Sequence, residues 1–74
     1  MSSLATKPPG TKWRVLSVDG VDPIAQRLME MGLVGGAEVE VVKLAPLGDP
    51  MQIGLLGYRL TLRKAEAHRV LVEP

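Results

Sequence analysis

The chain has 74 residues, of which 46% are hydrophobic and only 3% aromatic, and 9 basic against 8 acidic side chains leave a net charge of +1. This length is too short for a second domain. The small net charge gives no extended electrostatic potential that would attract nucleic acid or anionic lipid. No segment approaches the roughly 20 apolar residues that span a bilayer, and the absence of cysteine excludes disulfides and thiolate metal sites. We therefore expect a small cytoplasmic protein with no direct membrane insertion.

The first residues differ in composition from the rest. Residues 1 to 11 contain two adjacent prolines, Pro8 and Pro9, followed by Gly10. They include few large apolar side chains that could pack into a core. We predict a mobile N-terminal leader over 1–11 and one folded domain over 12–74. The domain begins with a strand over residues 12–18, which is rich in β-branched residues and stops at the turn dipeptide Asp19-Gly20.

A helix follows the first strand. Asp22 can accept hydrogen bonds from the free amides of a helix start, and Pro23 suits the first helical position. Ile24, Leu28 and Met31 then recur at helical spacing on one face, and Gly32 supplies the left-handed residue that ends many helices. The spacing predicts about ten helical residues.

Three strands are predicted after the helix. Residues 38–41 alternate between glutamate and valine, and the alternation slips by one step at Val41 and Val42. Since side chains alternate sides along a strand, the slip predicts a bulge or sharp bend, or a strand covered on both faces. A turn over residues 46–50 leads into a hairpin, with two alternating runs, 51–56 and 58–63, joined by a tight turn at Gly57.

A single helical turn over residues 64–69 and a last strand over residues 70–72 complete the order of elements. One short helix cannot cover five strands laid flat, so we expect the sheet to curl. The predicted fold is mainly β, a small SH3-like five-stranded barrel with one α-helix after the first strand and a short helical turn before the last. An open antiparallel sheet with the helix on one face is the alternative.

Four motifs in this order resemble the FeoA family. The helix ends in Leu28, Met31, Gly32 and Leu33, and a Gly-x-x-Val strand follows with Gly36 and Val39. The loop over residues 45–50 has the sequence Ala-Pro-Leu-Gly-Asp-Pro, and residues 57–63 match Gly-Tyr-x-Leu-x-Leu-Arg. The resemblance covers about residues 12 to 73, and it is the combination of loop and Gly-Tyr strand that makes it specific.

The resemblance implies an SH3-like fold and a role in ferrous iron uptake. Members of the family assist a membrane permease, FeoB, which carries a cytoplasmic GTP-binding domain. Similar domains form the C-terminal, SH3-like module of iron-dependent repressors. Here no DNA-binding helices precede the domain, so the resemblance implies a free-standing accessory protein.

Few residues could carry chemistry. His68 is the only histidine, no arrangement of Ser, His and Asp suggests a nucleophile, and the glycines at 32, 35 and 36 follow a helix instead of opening one as a phosphate loop does. We therefore predict no enzymatic activity and no cofactor. One histidine, four methionines and scattered carboxylates make a tight metal site unexpected, although a weak contact completed by a second molecule stays open.

The remaining surface suggests a binding module. Leu47 lies in the Pro-Leu-Gly-Asp loop, Leu56 falls on the side opposite Met51, Ile53 and Leu55, and Arg59 is nearby, so we predict these three as the permease-docking residues. The alternative for Leu56 is that it packs under the leader or the short helix. Other hypotheses are a weak ferrous iron sensor and, more remotely, a nucleic-acid-binding module using Arg59, Arg63, Lys64 and Arg69. Homo-oligomer formation is also open.

Overall fold

The computed structural model describes residues 2–74 and contains six strands and two helices. In chain order these are β1 (Ser2–Ser3), β2 (Lys12–Val18), α1 (Pro23–Glu30), β3 (Glu38–Leu44), β4 (Met51–Leu55), β5 (Tyr58–Leu62), α2 (Lys64–Ala67) and β6 (Val70–Val72). All neighbouring strands are antiparallel, in the order β1-β6-β2-β3-β4-β5. The sheet is therefore one ribbon with β1 and β5 at its ends, and the predicted mainly β class is confirmed.

The core is almost entirely aliphatic. It draws buried side chains from β2, β3, β4, β5 and β6, from α1 and the loop after it, from α2 and from the N-terminal segment. Because one cluster collects residues from across the whole ribbon, the sheet must curl around it, as expected for a small barrel. The cluster contains Leu4, Val15, Leu28, Leu33, Val39, Val41, Met51, Ile53, Leu55, Leu62, Ala67, Val70 and Val72.

The N-terminal segment corrects two expectations. Ser2 and Ser3 pair with Val72 and Leu71 as a sixth strand, and Leu4 has no exposed surface. Further along, the Gly10 amide donates to the Val41 carbonyl over 2.7 Å. The segment predicted as a mobile leader over 1–11 is thus attached to the domain through residues 2–4 and the Gly10 amide, although Pro8 and Pro9 are exposed. Met1 lies outside the described residues. A two-residue strand and a single leucine carry no periodic pattern, so sequence reasoning missed both.

Helix α1 starts as predicted and buries a slightly different face. The Asp22 side chain accepts from the Ala25 amide over 3.1 Å, Pro23 is the first helical residue, and Gly32 has a φ of +108° just beyond the end. The buried positions are Ala25 and Leu28, whereas Ile24 is partly exposed. Of the two buried residues, Leu28 belongs to the core cluster, whereas Ala25 lies beside Gly20 of the loop before the helix.

The slip predicted at Val41 and Val42 is a β-bulge in β3. The register between β3 and β4 shifts between Val41 and Lys43, so Val42 is the extra residue. The bulge leaves Lys43 exposed and lets Leu44 pack against the core. It also bends the strand, which helps the sheet to curl. Of the two explanations that the sequence left open, the structure selects the bulge.

Candidate functional site

Leu56 occupies the tight turn between β4 and β5. Leu56 and Gly57 have φ values of 54° and 83°, and they join the closing pair Leu55 and Tyr58. Positive φ at both central residues is the geometry of a type I′ hairpin turn, which matches the twist of the strands. The turn projects Leu56 from the sheet and leaves it 75% exposed.

The end of helix α1 supports this turn. A Cβ atom placed on Gly32 would lie only 3.1 Å from Cδ1 of Leu56, so the glycine lets the leucine approach the helix terminus. The Tyr58 hydroxyl donates to the Met31 carbonyl over 2.5 Å. Leu56 therefore contacts the end of α1 and packs under neither the N-terminal segment nor α2. Sequence reasoning missed the supporting role of Tyr58, because its partner lies 27 residues away along the chain.

Arg59 lies beside the same turn. It pairs with Gly54 on β4, and Gly54 pairs in turn with Glu40 on β3. Because Gly54 has no side chain, a hollow of about 330 Å³ opens above it on the outer face of the sheet. Its lining includes Leu56 and Arg59 together with Lys12, Glu40 and Val42. The structure thus brings two of the three predicted docking residues to one site.

Leu47 is exposed at another place. It is 99% exposed, with a φ of 68°, in the loop that precedes β4. Leu47 and Leu56 flank opposite ends of the five-residue strand β4, whose length at about 3.4 Å per residue is about 17 Å. The structure therefore does not join the two leucines into one contiguous apolar patch. Both still flank β5, since Asp49 of the Leu47 loop accepts from the Lys64 amide over 3.0 Å just after that strand.

The metal-ligating residues do not form a cation site. Within residues 2–74 there is no group of three or more His, Cys, Asp or Glu side chains that could hold a metal ion. His68 is exposed at the end of α2, with Nδ1 3.4 Å from the Ser3 hydroxyl. One imidazole with a hydroxyl neighbour does not fit the several N, O or S donors that a transition metal needs.

An ion pair links Asp22, at the start of α1, to Arg69, the residue before β6. Arg69 Nη2 donates to Asp22 Oδ2 over 2.8 Å, and Nη1 donates to Oδ1. The hydrogen bond from Arg69, followed by the bond from the Ala25 amide, lowers the pKa of Asp22 below its usual value. Asp22 and Arg69 thus lie at the start of α1, whereas the Leu56 turn contacts the other end of the helix.

No helix in the described part of the chain has the length and apolar character required to cross a membrane.

Comparisons with known proteins point to one family over most of the chain. The family model described as the FeoA domain matches residues 2–74. A fusion of Fe(2+) transport protein A with the Fe(2+) transporter FeoB, from Porphyromonas gingivalis, is 36% identical over 59 residues. The match covers 80% of this chain but 7% of the fusion protein.

Solved structures agree in fold. The zinc complex of Stenotrophomonas maltophilia FeoA, described as a prokaryotic SH3 domain protein, superposes with a TM-score of 0.88 at 38% identity, covering 99% of this chain and 91% of that one. A FeoA-like protein from Clostridium acetobutylicum gives 0.90 at 36% identity, with coverages of 97% and 84%. A manganese-dependent transcriptional repressor gives 0.85 at 15% identity, which shows a shared fold alone. The SH3-like architecture predicted from the sequence is confirmed.

Proposed function

The chain belongs to the FeoA domain family, and from that membership we propose that it is a cytoplasmic, non-catalytic accessory protein of ferrous iron uptake that docks on a FeoB-type permease. The observation that carries the proposal is the Porphyromonas gingivalis fusion, in which a similar domain and the transporter share one polypeptide. Covalent fusion raises the effective concentration of two modules that work together. A domain of this kind that is not fused to the transporter would need a binding surface to achieve the same association.

We propose that the docking surface comprises Leu56, Arg59 and Leu47. An exposed apolar group beside a charged one resembles the centre and rim of small interfaces. An interface of standard size covers about 800 Å² per partner, or roughly 30 Å across, so it can include both leucines despite their separation. Modulation of the assembly or activity of the permease would follow from this contact.

Substitution of Leu56 by glutamate tests the surface. We expect Leu56→Glu to weaken co-purification with a tagged FeoB-type permease by about tenfold or more, because a charge replaces a central apolar contact. The fold should be unaffected, since Leu56 is 75% exposed and glutamate adopts the same φ at a similar cost. Val21→Glu is the matched control, because Val21 is fully exposed in the loop before α1. Equal binding by both variants would show that the surface lies elsewhere.

Ferrous iron sensing is the second candidate. It is favoured by the zinc bound to the Stenotrophomonas maltophilia relative. The donors described in this chain do not fit a site within one molecule, so sensing would need ligands from a second molecule. Calorimetric titration of demetallated protein with ferrous ion separates the two candidates, since saturable heat is expected only for a sensor.

A further inference from the structure

The β5 strand is an open edge of the sheet. β5 pairs with β4 on one side and is the last strand in the sheet order, so its other side has no strand partner among residues 2–74. At the opposite end of the sheet β1 has only two residues, whereas β5 has five. Long open edges with unpaired amides are uncommon in native proteins, because they template pairing with another chain.

The hairpin register identifies which backbone groups are available. In a two-residue hairpin the closing pair, Leu55 and Tyr58, is hydrogen-bonded, and bonded and non-bonded pairs then alternate. The N–H and C=O groups of Tyr58, Leu60 and Leu62 therefore face β4. Those of Arg59 and Thr61 face outward, and neither N–H donates a hydrogen bond to any other element within the described residues.

The side chains along this edge are polar or charged on the outer face of the sheet and mostly apolar on the inner face. Arg59, Thr61 and Arg63 are exposed on the outer face, while Tyr58 and Leu60 are only partly covered on the inner one. The ion pairs within residues 2–74 are formed by Arg14, Arg27 and Arg69. Arg59, Arg63 and the following Lys64 form no side-chain ion pair in that part of the chain. Glu66 and Asp49 accept hydrogen bonds from the backbone amides of Arg63 and Lys64, so the three cationic side chains themselves are available to carboxylates of another chain.

From this arrangement we propose that β5 binds an extended acidic segment of a partner protein by antiparallel or parallel strand addition. The main chain of the segment would bond to the free N–H and C=O groups of Arg59 and Thr61. Its carboxylates would face the arginines on the outer side, and its alternate apolar side chains would cover Tyr58 and Leu60. Main-chain bonds provide affinity in this mode and alternate side chains provide specificity.

Charge argues against a second copy of this chain as the occupant. Pairing of β5 with β5 of another molecule around a two-fold axis at Leu60 would place two copies of Arg59 and Arg63 on the same face at diagonal spacing. Diagonal neighbours are within reach of long side chains, so the guanidinium groups of the two copies would repel one another. An acidic segment gains attraction at the same positions.

A peptide titration tests the proposal without the permease, so that it stands or falls separately from the proposed function. The probe is a blocked seven-residue peptide that alternates glutamate with valine, and its control carries lysine in place of glutamate. We expect amide chemical-shift changes and slowed hydrogen exchange centred on Arg59 and Thr61 with the acidic peptide, and binding about tenfold weaker with the lysine peptide. Equal binding of the two peptides, or changes centred away from β5, would overturn the proposal.

Three substitutions sharpen the test. Thr61→Pro removes an outward N–H without touching the ladder to β4, a position where an edge strand tolerates proline. We expect it to weaken the acidic peptide about tenfold, whereas Thr61→Val, which keeps the N–H, changes affinity less than about twofold. Should Thr61→Pro fail to fold, Arg59→Glu serves instead, and it should reverse the preference toward the lysine peptide. Unchanged affinity of folded Thr61→Pro for the acidic peptide, or an unreversed peptide preference in Arg59→Glu, contradicts strand addition. Shifts at Arg59 and Thr61 that depend on protein concentration alone would also contradict it, because they indicate a second copy.

Discussion

Leu56 and Leu47 share a backbone conformation that leucine normally avoids. Their φ values of 54° and 68° lie in the left-handed region, which costs an L-residue with a Cβ roughly 1–2 kcal/mol. Both side chains are also largely exposed, at 75% and 99%. Strain combined with exposed apolar surface gives no benefit to the isolated fold, and this combination supports a role for the two residues in binding.

At the Leu56 turn we expect one substitution to raise the free energy of unfolding, whereas most substitutions lower it. Asparagine tolerates positive φ and is favoured in type I′ turns, so Leu56→Asn should raise the free energy of unfolding by about 0.5–1 kcal/mol. Leu56→Val, whose branched Cβ suits this conformation poorly, should lower it. Urea denaturation with a common slope compares the two variants. Destabilisation of similar size in both would mean that the contact of Leu56 with the end of α1 outweighs the backbone strain.

At the scale of elements, the attachment of α1 to the barrel determines where the candidate surface lies. The N-terminus of the helix is held by Asp22 and Arg69, and its C-terminal end contacts Leu56 and accepts the Tyr58 hydroxyl. The Arg27 side chain also pairs with Glu66 of α2. The helix therefore connects the last strand, α2 and the β4–β5 turn, and its position supports the turn that presents Leu56.

The Asp22–Arg69 pair predicts how stability depends on pH. The pKa of Asp22 is lowered in the folded state, first by Arg69 and then by the Ala25 amide. The stabilisation is therefore fully present above the unfolded pKa of about 3.9 and is lost as the pH falls through the lower folded value. Asp22→Asn keeps an oxygen acceptor for the helix start and removes the charge. We expect this variant to be less stable than the original chain at pH 7 and to approach it at pH 3.

Denaturant midpoints of both proteins at the two pH values provide the measurement. A stability difference that stays constant between pH 7 and pH 3 would contradict a role for the charge. Arg14 forms an exposed pair with Glu73 over 3.2 Å, and Arg14→Gln is the matched control that should change stability little.

For the whole molecule, closure of the core depends on a segment that precedes the predicted domain. Leu4 is completely buried, and the turn that contains it packs against α2 and β6. With 74 residues the chain has a small core, and each buried leucine contributes a large share of the marginal stability of so small a domain.

Leu4→Ala should therefore lower the free energy of unfolding by about 2–4 kcal/mol, as for other buried leucines. Leu47→Ala is the control, because the same atoms are removed from a side chain that is 99% exposed, and a change within about 0.5 kcal/mol is expected. Chemical denaturation measures both. A loss below about 1 kcal/mol for Leu4→Ala would show that the N-terminal segment is dispensable for the core.

Local patterns accounted for most of the elements and for part of the candidate site. The start of α1 at Asp22 and Pro23, the bulge at Val42 and the hairpin around Gly57 each follow from residues within a few positions of one another. The same patterns predicted that Leu47, Leu56 and Arg59 are exposed. They could not predict that Asp49 accepts from the Lys64 amide and so holds the Leu47 loop beside the end of β5, since the two residues lie 15 positions apart in the chain.

The sequence alone determined the mainly β class, the positions of the turns, the aliphatic core and the family, because periodicity, turn chemistry and motifs are encoded in neighbouring residues. Only the tertiary structure decided that residues 2–11 pack onto the domain, that Tyr58 and Gly32 support the Leu56 turn, and that β5 ends the sheet with free amides. Those features depend on contacts between segments far apart in the chain. Such contacts form only when the whole ribbon closes around its core, so no local pattern records them.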